Sequence, residues 1–493
     1  MDIKDQCFNV GNIKKNFIYN SLYQLLIIMI PLITTPYLSR VLGAKNTGMY
    51  SYSYAIATYF VLFIMLGLNN YGNRTIASIR DDNKILSKEF WSVYALQLIC
   101  GLIATFVYVC YAILFSNNIM TWILLIYVIS GIIDINWFFF GMEQFKITVT
   151  RNTVIKIIST LLIFLLVKDS GDVYIYALIS VMGTIIGQCV LWVYLARFVH
   201  MEKIVIGDIV KHIKPNLILF IPVIAISLYK YMDKIMLGAL SSMSEVGYYD
   251  YSERVIQVPM ALINSLGTVM LPKMSNVISK GERERADRYM LDSVIFVIAI
   301  VSIVCFGLMG VSDIFVPIFL GNNYYICIIL FNILLPSCLF LGVANVIRTQ
   351  YLIPMKRDKE YIISVFLGSI VNFVINYSLI SGKGSVGAAI GTLFAEMTVC
   401  VYQVYSVKEE VKIFKMIKMA SPFLVAGIVM YVVLIHITFS TKSIVSLFIK
   451  IVIGAILYII SLFVFYIFSK NNSIGKNLKN LLLSATKRDE KMY

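Results

Sequence analysis

Apolar residues in this chain come in long blocks separated by brief polar stretches, without the period-two alternation of half-buried strands. The blocks run to roughly 20 residues, the length that crosses about 30 Å of hydrocarbon at 1.5 Å per residue. Fourteen spans are predicted, at about 16–38, 50–70, 91–115, 119–142, 152–168, 172–196, 215–240, 248–272, 290–312, 324–347, 361–380, 386–406, 416–437 and 444–468. The polar connections are short throughout, and none is long enough for a separate soluble domain. The pattern predicts an all-α polytopic membrane protein.

Composition agrees: 59% of residues are hydrophobic and 14% charged, against about 25% charged in a soluble domain. The formal net charge of +15 invites a nucleic-acid reading, which its distribution removes. With the N-terminus cytoplasmic, about 32 of the 42 Lys and Arg residues fall in cytoplasmic tails and loops, about 5 in outer loops and about 5 inside spans. This bias predicts both termini in the cytoplasm and accounts for the charge without nucleic acid. Trp91, Trp122, Trp137 and Trp192 fall toward span ends, where interfacial anchors are expected. A polar tail precedes the first span and no small-residue cleavage site follows it, so no signal peptide is expected. The eight cysteines lie almost all inside apolar runs without CxxC or metal spacing, and His200, His212 and His436 are scattered. No metal and no cofactor are expected.

A repeat divides the chain. Leu42-Gly43 is followed by Gly48-Met49-Tyr50-Ser51-Tyr52-Ser53, and Leu237-Gly238 by Gly247-Tyr248-Tyr249-Asp250-Tyr251-Ser252. The pattern LG…GxYxYS thus recurs at an offset of 195 and then 199 residues, and the second offset also carries Arg74 onto Lys273. The expected organisation is an N-terminal six-helix bundle over residues 1–200, a homologous bundle over 201–410, and two additional helices with a basic cytoplasmic tail over 411–493. An even number of spans per bundle makes the repeats parallel, a plan suited to alternating access. Pro31 and Pro36 in span 1 and Pro222 in span 7 are either hinges or static kinks.

Two motifs in the first half and one in the second resemble those of bacterial polysaccharide (O-antigen type) flippases. They are Pro36-Tyr37-Leu38-Ser39-Arg40-Val41-Leu42-Gly43, closing span 1, and Asn70-Tyr71-Gly72-Asn73-Arg74, closing span 2. The second-half signature is matched by Asp233, Leu237-Gly238, Val246-Gly247-Tyr248-Tyr249 and Pro272-Lys273. The resemblance covers spans 1–12; many such flippases have twelve spans, so spans 13 and 14 are a variable feature. It implies membership of the multidrug/oligosaccharidyl-lipid/polysaccharide exporter superfamily. It also implies a non-enzymatic transporter of the bacterial cytoplasmic (inner) membrane, carrying an undecaprenyl-pyrophosphate-linked oligosaccharide to the outer leaflet. Polysaccharide polymerase and chain-length proteins are the partners it implies.

Charges inside the spans test that reading. A Lys or Arg at the centre of a lipid-facing helix costs roughly 2.5–3.5 kcal/mol. Lys230, Lys234 and Arg254 facing lipid together would therefore cost on the order of 10 kcal/mol, so interior positions are expected. Lys230 and Lys234 share a helical face, with Asp233 beside them and Glu253 next to Arg254. Three roles are open. Lys234 can snorkel to the outer surface, Asp233 or Glu253 can pair with Arg254, and Lys230, Lys234 and Arg254 can hold a pyrophosphate. Through the repeat, Lys230 and Lys234 correspond to Thr35 and Ser39, and Glu253 and Arg254 to Tyr54 and Ala55, so the charges belong to the second bundle alone. Arg40 is the first bundle's cationic candidate, with an interfacial anchor as the alternative. Asp134 and Glu396 fall near mid-membrane, either in structural pairs or as the carboxylates that couple transport to H⁺ or Na⁺.

Two rival classes remain at this point. A multidrug or cation antiporter of the same superfamily would favour an acidic cavity, against the cationic second bundle seen here. A polysaccharide polymerase or ligase would need a large outer domain or an acidic outer loop, and the outer loops are short. No P-loop or nucleophile constellation is present.

Overall fold

The computed structural model describes residues 29–116 and 118–469 and contains no strand among them. Residues 29–41 form α1, followed by α2 (Gly43–Met65), α3 (Leu68–Ile79), α4 (Asn83–Phe115), α5 (Ile119–Ile132), α6 (Asn136–Gly141), α7 (Phe145–Leu166) and α8 (Val173–Leu195). Then come α9 (Ile206–Val210), α10 (Ile213–Leu240), α11 (Met243–Ser279), α12 (Arg283–Phe319), α13 (Ile326–Leu334), α14 (Ser337–Ile347), α15 (Asp358–Val407), α16 (Ile413–His436) and α17 (Ile444–Ser469).

Among the described residues, twelve helical segments are long and apolar enough to cross a membrane. They account for thirteen of the fourteen expected spans, because α15 holds two. Gly384, with φ 52° and ψ −133°, breaks α15 into two arms that fold back on one another. A left-handed φ of this kind suits glycine. Small residues line the seam: Gly368 faces Ala395 and Val399, Gly387 the backbone of Leu379 and Ile380, and Gly391 the Asn376 amide. The remaining expected span, 16–38, lies mostly outside the described residues. Its described part is helical through Pro31 and Pro36, and α10 likewise runs through Pro222.

Packing divides the chain into two compact units, at Tyr251 and Ser252. The repeat places its division near residue 200; packing places it later because α10 lies against α2 and α3 in the first unit. The first unit's core has two apolar clusters. One gathers Leu38, Leu42, Tyr108, Leu124, Val128 and Ile179; the other gathers Ile76, Phe90, Trp137, Phe138, Phe139 and Leu191. Trp137 is fully buried, not an interfacial anchor, and its indole N–H donates to Gln97 Oε1 at 3.0 Å. The ring needs a partner once buried, and the core supplies one.

Gln97 has a second role. The span predicted at 119–142 is interrupted between α5 and α6, which frees backbone carbonyls at membrane depth. Gln97 Nε2 donates to the Gly131 and Asp134 carbonyls at 2.8 and 2.9 Å, and the Trp192 indole to that of Ile133 at 2.9 Å. Irregular backbone is tolerated at this depth where the protein itself satisfies it.

In the second unit, α12 is the central post. Both α16 and α17 pack along it, with Gly427 against Ser302 and Phe306, and Gly310 against Leu434. Tyr458 donates to the Ala299 carbonyl at 3.1 Å. Lys450, 0% exposed, reaches Asp313 Oδ1 at 2.8 Å.

Candidate functional site

The intramembrane charges singled out in the sequence begin on the hairpin of α10 and α11, joined at Ser241 and Ser242. Asp233 is 3% exposed, and its Oδ2 accepts a hydrogen bond from the Tyr249 hydroxyl at 2.5 Å. Beside it, Lys234 Nζ donates to Asp250 Oδ1 at 2.7 Å, with both side chains largely buried. The two pairs bridge the hairpin next to one another. Each satisfies groups that would be costly to leave alone in an apolar surround.

The repeated motif explains why the hairpin is seated so closely on α2. A Cβ on Gly48 would overlap the Met243 carbonyl, and a Cβ on the corresponding Gly247 would overlap the Ala44 carbonyl. The two equivalent glycines therefore face each other's helices across one crossing. Thr47 Oγ1 and the Tyr251 hydroxyl hydrogen-bond there at 2.6 Å, and Tyr59 donates to the Ser227 carbonyl at 3.1 Å. The LG glycines have diverged in use. Gly43, at φ 75°, turns the chain from α1 into α2, whereas Gly238 gives room for the Tyr52 ring.

Of the predicted cations, Lys230 is exposed, with its ammonium 5.5 Å from the centroid of the Tyr231 ring. That contact lends it modest support while leaving hydrogen-bonding capacity for an anion. Lys234 is directed to Asp250. Arg40 is exposed and donates to the Pro36 carbonyl at 2.6 Å. Glu253 and Arg254 lie just past the division, in the second unit, and both are half-buried.

The two mid-membrane carboxylates differ sharply. Asp134 stands at the α5–α6 break, where its Oδ1 accepts from the Asn136 backbone N–H at 2.9 Å and from Asn136 Nδ2 at 2.6 Å. Asn136 Oδ1 in turn accepts from Arg151 Nη2 at 2.9 Å. Glu396, in the second arm of α15, is 3% exposed and has no hydrogen-bond or ion-pair partner among the described residues.

Asp250, Arg151 and Lys450 were not singled out as charges by sequence reasoning, and Tyr249 entered only as part of a motif. Asp250 had a usable signal: it occupies the second copy of GxYxYS where the first copy has Ser51. Lys450 had one as well, as a lysine inside the span predicted at 444–468, although its partner Asp313 is distant in sequence; Arg151, at the edge of a predicted span, had none. Among the described residues, no group of three or more His, Cys, Asp or Glu side chains is placed to hold a metal ion.

Residues 13–278, more than half of the chain, match the family described as polysaccharide biosynthesis protein. The chain belongs to this family. The resemblance read from the PYLSRVLG and NYGNR motifs is thus upheld. A putative O-antigen transporter of Escherichia coli (strain K12) is 22% identical over 407 residues, 79% of this chain and 95% of that protein. A probable low-salt glycan biosynthesis flippase of Haloferax volcanii is 25% identical over 164 residues, 33% of this chain and 34% of that protein. Among solved structures, the lipid II flippase MurJ in an inward closed conformation superposes with a TM-score of 0.75 at 17% identity, covering 91% of this chain and 99% of that one. An inward-facing multidrug resistance MATE family transporter gives 0.56 at 13% identity, covering 80% of this chain and 98% of that one. This polysaccharide biosynthesis family member therefore has the polytopic helical fold of these transporters.

Proposed function

We propose that this family member is a flippase that carries an undecaprenyl-pyrophosphate-linked oligosaccharide from the inner to the outer leaflet of a bacterial cytoplasmic membrane. The observation that carries this reading is similarity through 95% of the length of a putative O-antigen transporter. The substrate has a dense anionic head and a polar sugar, neither of which enters hydrocarbon unaided. Lys230, exposed and cationic, is the primary pyrophosphate contact. Arg40 and Arg254 are further candidates, each taken alone, while Lys234 holds Asp250 and acts structurally. The bundles over 1–200 and 201–410 alternate the access of the site, both termini stay cytoplasmic, and polymerase and chain-length proteins take the product outside. The chain moves its substrate without making or breaking its covalent bonds.

The test is translocation of labelled lipid-linked oligosaccharide in vesicles containing the purified chain. Label is expected to reach the opposite leaflet, and a wild-type chain that moves none under any ion gradient refutes the proposal. Lys230→Ala is expected to abolish movement while membrane insertion and yield stay normal. Undiminished movement would assign Lys230 a structural role.

A further inference from the structure

We infer that Glu396 carries the coupling proton of the transport cycle, and that Asp134 does not. The inference rests on the flippase reading for what is coupled, but not for the proton site itself.

Position comes first. Gly384 closes one arm of α15 and Val407 ends the other, so Glu396 sits eleven residues from either end of the second arm's 385–407 stretch. At 1.5 Å per residue that is about 16 Å, close to mid-membrane. Its side chain is buried within the second unit, on an arm whose seam with the other carries Gly368, Gly391 and the buried amides of Asn372 and Asn376. Among the described residues no hydrogen-bond donor or cation meets the carboxyl. An ion at such a site keeps the whole desolvation cost of its charge, whereas a carboxylic acid avoids most of it. The carboxyl is therefore carried as the acid in this conformation.

Asp134 is the contrasting case. Two donations from Asn136, itself held by Arg151, fix its carboxylate as the cap of a helix break. That is a structural assignment, and it leaves Glu396 as the group able to exchange. The choice of ion follows from the same surroundings. Sodium needs several oxygen ligands, and among the described residues no second carboxylate is grouped with Glu396 to hold a metal ion; a proton needs only the carboxyl.

The other titratable groups do not compete for this role. Cys400, one turn along the same arm, is the titratable neighbour within electrostatic reach. On the packed helices, Cys327 of α13 and Cys338 of α14 are buried thiols. Beyond α14, Arg348 is directed to the Tyr361 hydroxyl and Tyr351 to Glu410. Asp358, Lys359, Glu360 and Lys383 stand toward the ends of the two arms, and Tyr377 is exposed. None of these pairs with Glu396.

In the cycle, opening of the second unit to water on one side breaks the Oε–H bond and passes the proton to that water. After the reverse opening, the carboxylate takes a proton from water on the other side. One proton crosses and the carboxylic acid is regenerated.

Two measurements on the full chain test this. Infrared difference spectroscopy of the chain in nanodiscs should show a protonated-carboxyl C=O band at neutral pH that disappears in Glu396→Gln. In vesicles, a pH gradient should accelerate lipid-linked oligosaccharide movement by wild type, and that acceleration should be lost in Glu396→Gln and regained in Glu396→Asp. A band that persists in Glu396→Gln, or a gradient response that survives the substitution, overturns the inference. A wild type that moves no oligosaccharide but shows the Glu396-dependent band refutes the flippase reading and leaves the proton site standing.

Discussion

At the scale of single residues, the hairpin shows how a charge can belong in a membrane protein without touching substrate. Lys234 and Asp250 lie 2.7 Å apart and largely buried, so each compensates the other's charge. Removing one partner of a buried pair leaves an uncompensated ion, at a cost of about 3–5 kcal/mol, while replacing both by apolar groups of similar size is often neutral. Asp250→Ala is therefore expected to lower the thermal unfolding midpoint markedly, and Lys234→Met combined with Asp250→Leu to restore most of it. Equal midpoints for Asp250→Ala and wild type would show that the pair contributes nothing. The sequence revealed Lys230 and Lys234 as neighbours on one face because helical spacing is local. It did not reveal Lys234's partner, because that depends on how two helices register across a turn. The same limit applies to Asp134 and Glu396. Both read as mid-membrane carboxylates, and only packing separates a helix cap from an isolated acid.

At the scale of helices, glycines set the approach distances. Gly48 and Gly247 are equivalent in the repeat, and each leaves space for a backbone carbonyl of the other's helix. Gly247→Val must push α11 and α2 apart, which also strains the Thr47–Tyr251 hydrogen bond. The expected outcome is a chain more open at this crossing, read as faster thiol labelling of a cysteine placed at Ala44 in the variant than in the parent. Unchanged labelling would mean that the contact yields elsewhere. The repeat was legible as a sequence pattern, but its role as a mutual crossing was not. The hairpin in α15 was legible as two spans, and Gly384 explains how they stay one helix by hydrogen bonding yet two by direction. The Lys450–Asp313 pair makes a further, asymmetric prediction. Lys450 is 0% exposed and the Asp313 side chain 44%. Asp313→Ala therefore strands a buried ammonium and should cost about 3 kcal/mol or more, whereas Lys450→Met leaves a carboxylate on the open side and should cost far less. Equal shifts in unfolding midpoint would refute this assignment of the burden.

At the scale of the whole molecule, the open matter is whether α16 and α17 are an appendage or part of the second unit. The sequence places them outside the repeat, which suggests that they are dispensable. Packing argues the reverse. α12 meets both along its length, Gly427 and Gly310 are seated against neighbouring side chains, and Tyr458 and Lys450 hydrogen-bond across to α12. Hydrophobicity alone does not drive helices together inside lipid, so close small-residue contacts and polar bonds are the forces that hold them. Those forces are present here at several points along one post. A chain ending at residue 410 would leave α12 without α16 and α17 and Asp313 without its cation. It is expected to insert but to lose most of its monodisperse yield after detergent extraction. A fluorescent protein fused at the C-terminus measures this cleanly. Removing two spans keeps the fusion on the same side of the membrane, so a lost monodisperse peak reports a lost fold and not an inverted topology. Undiminished yield from the shortened chain would make the last two helices an addition that the second unit does not need.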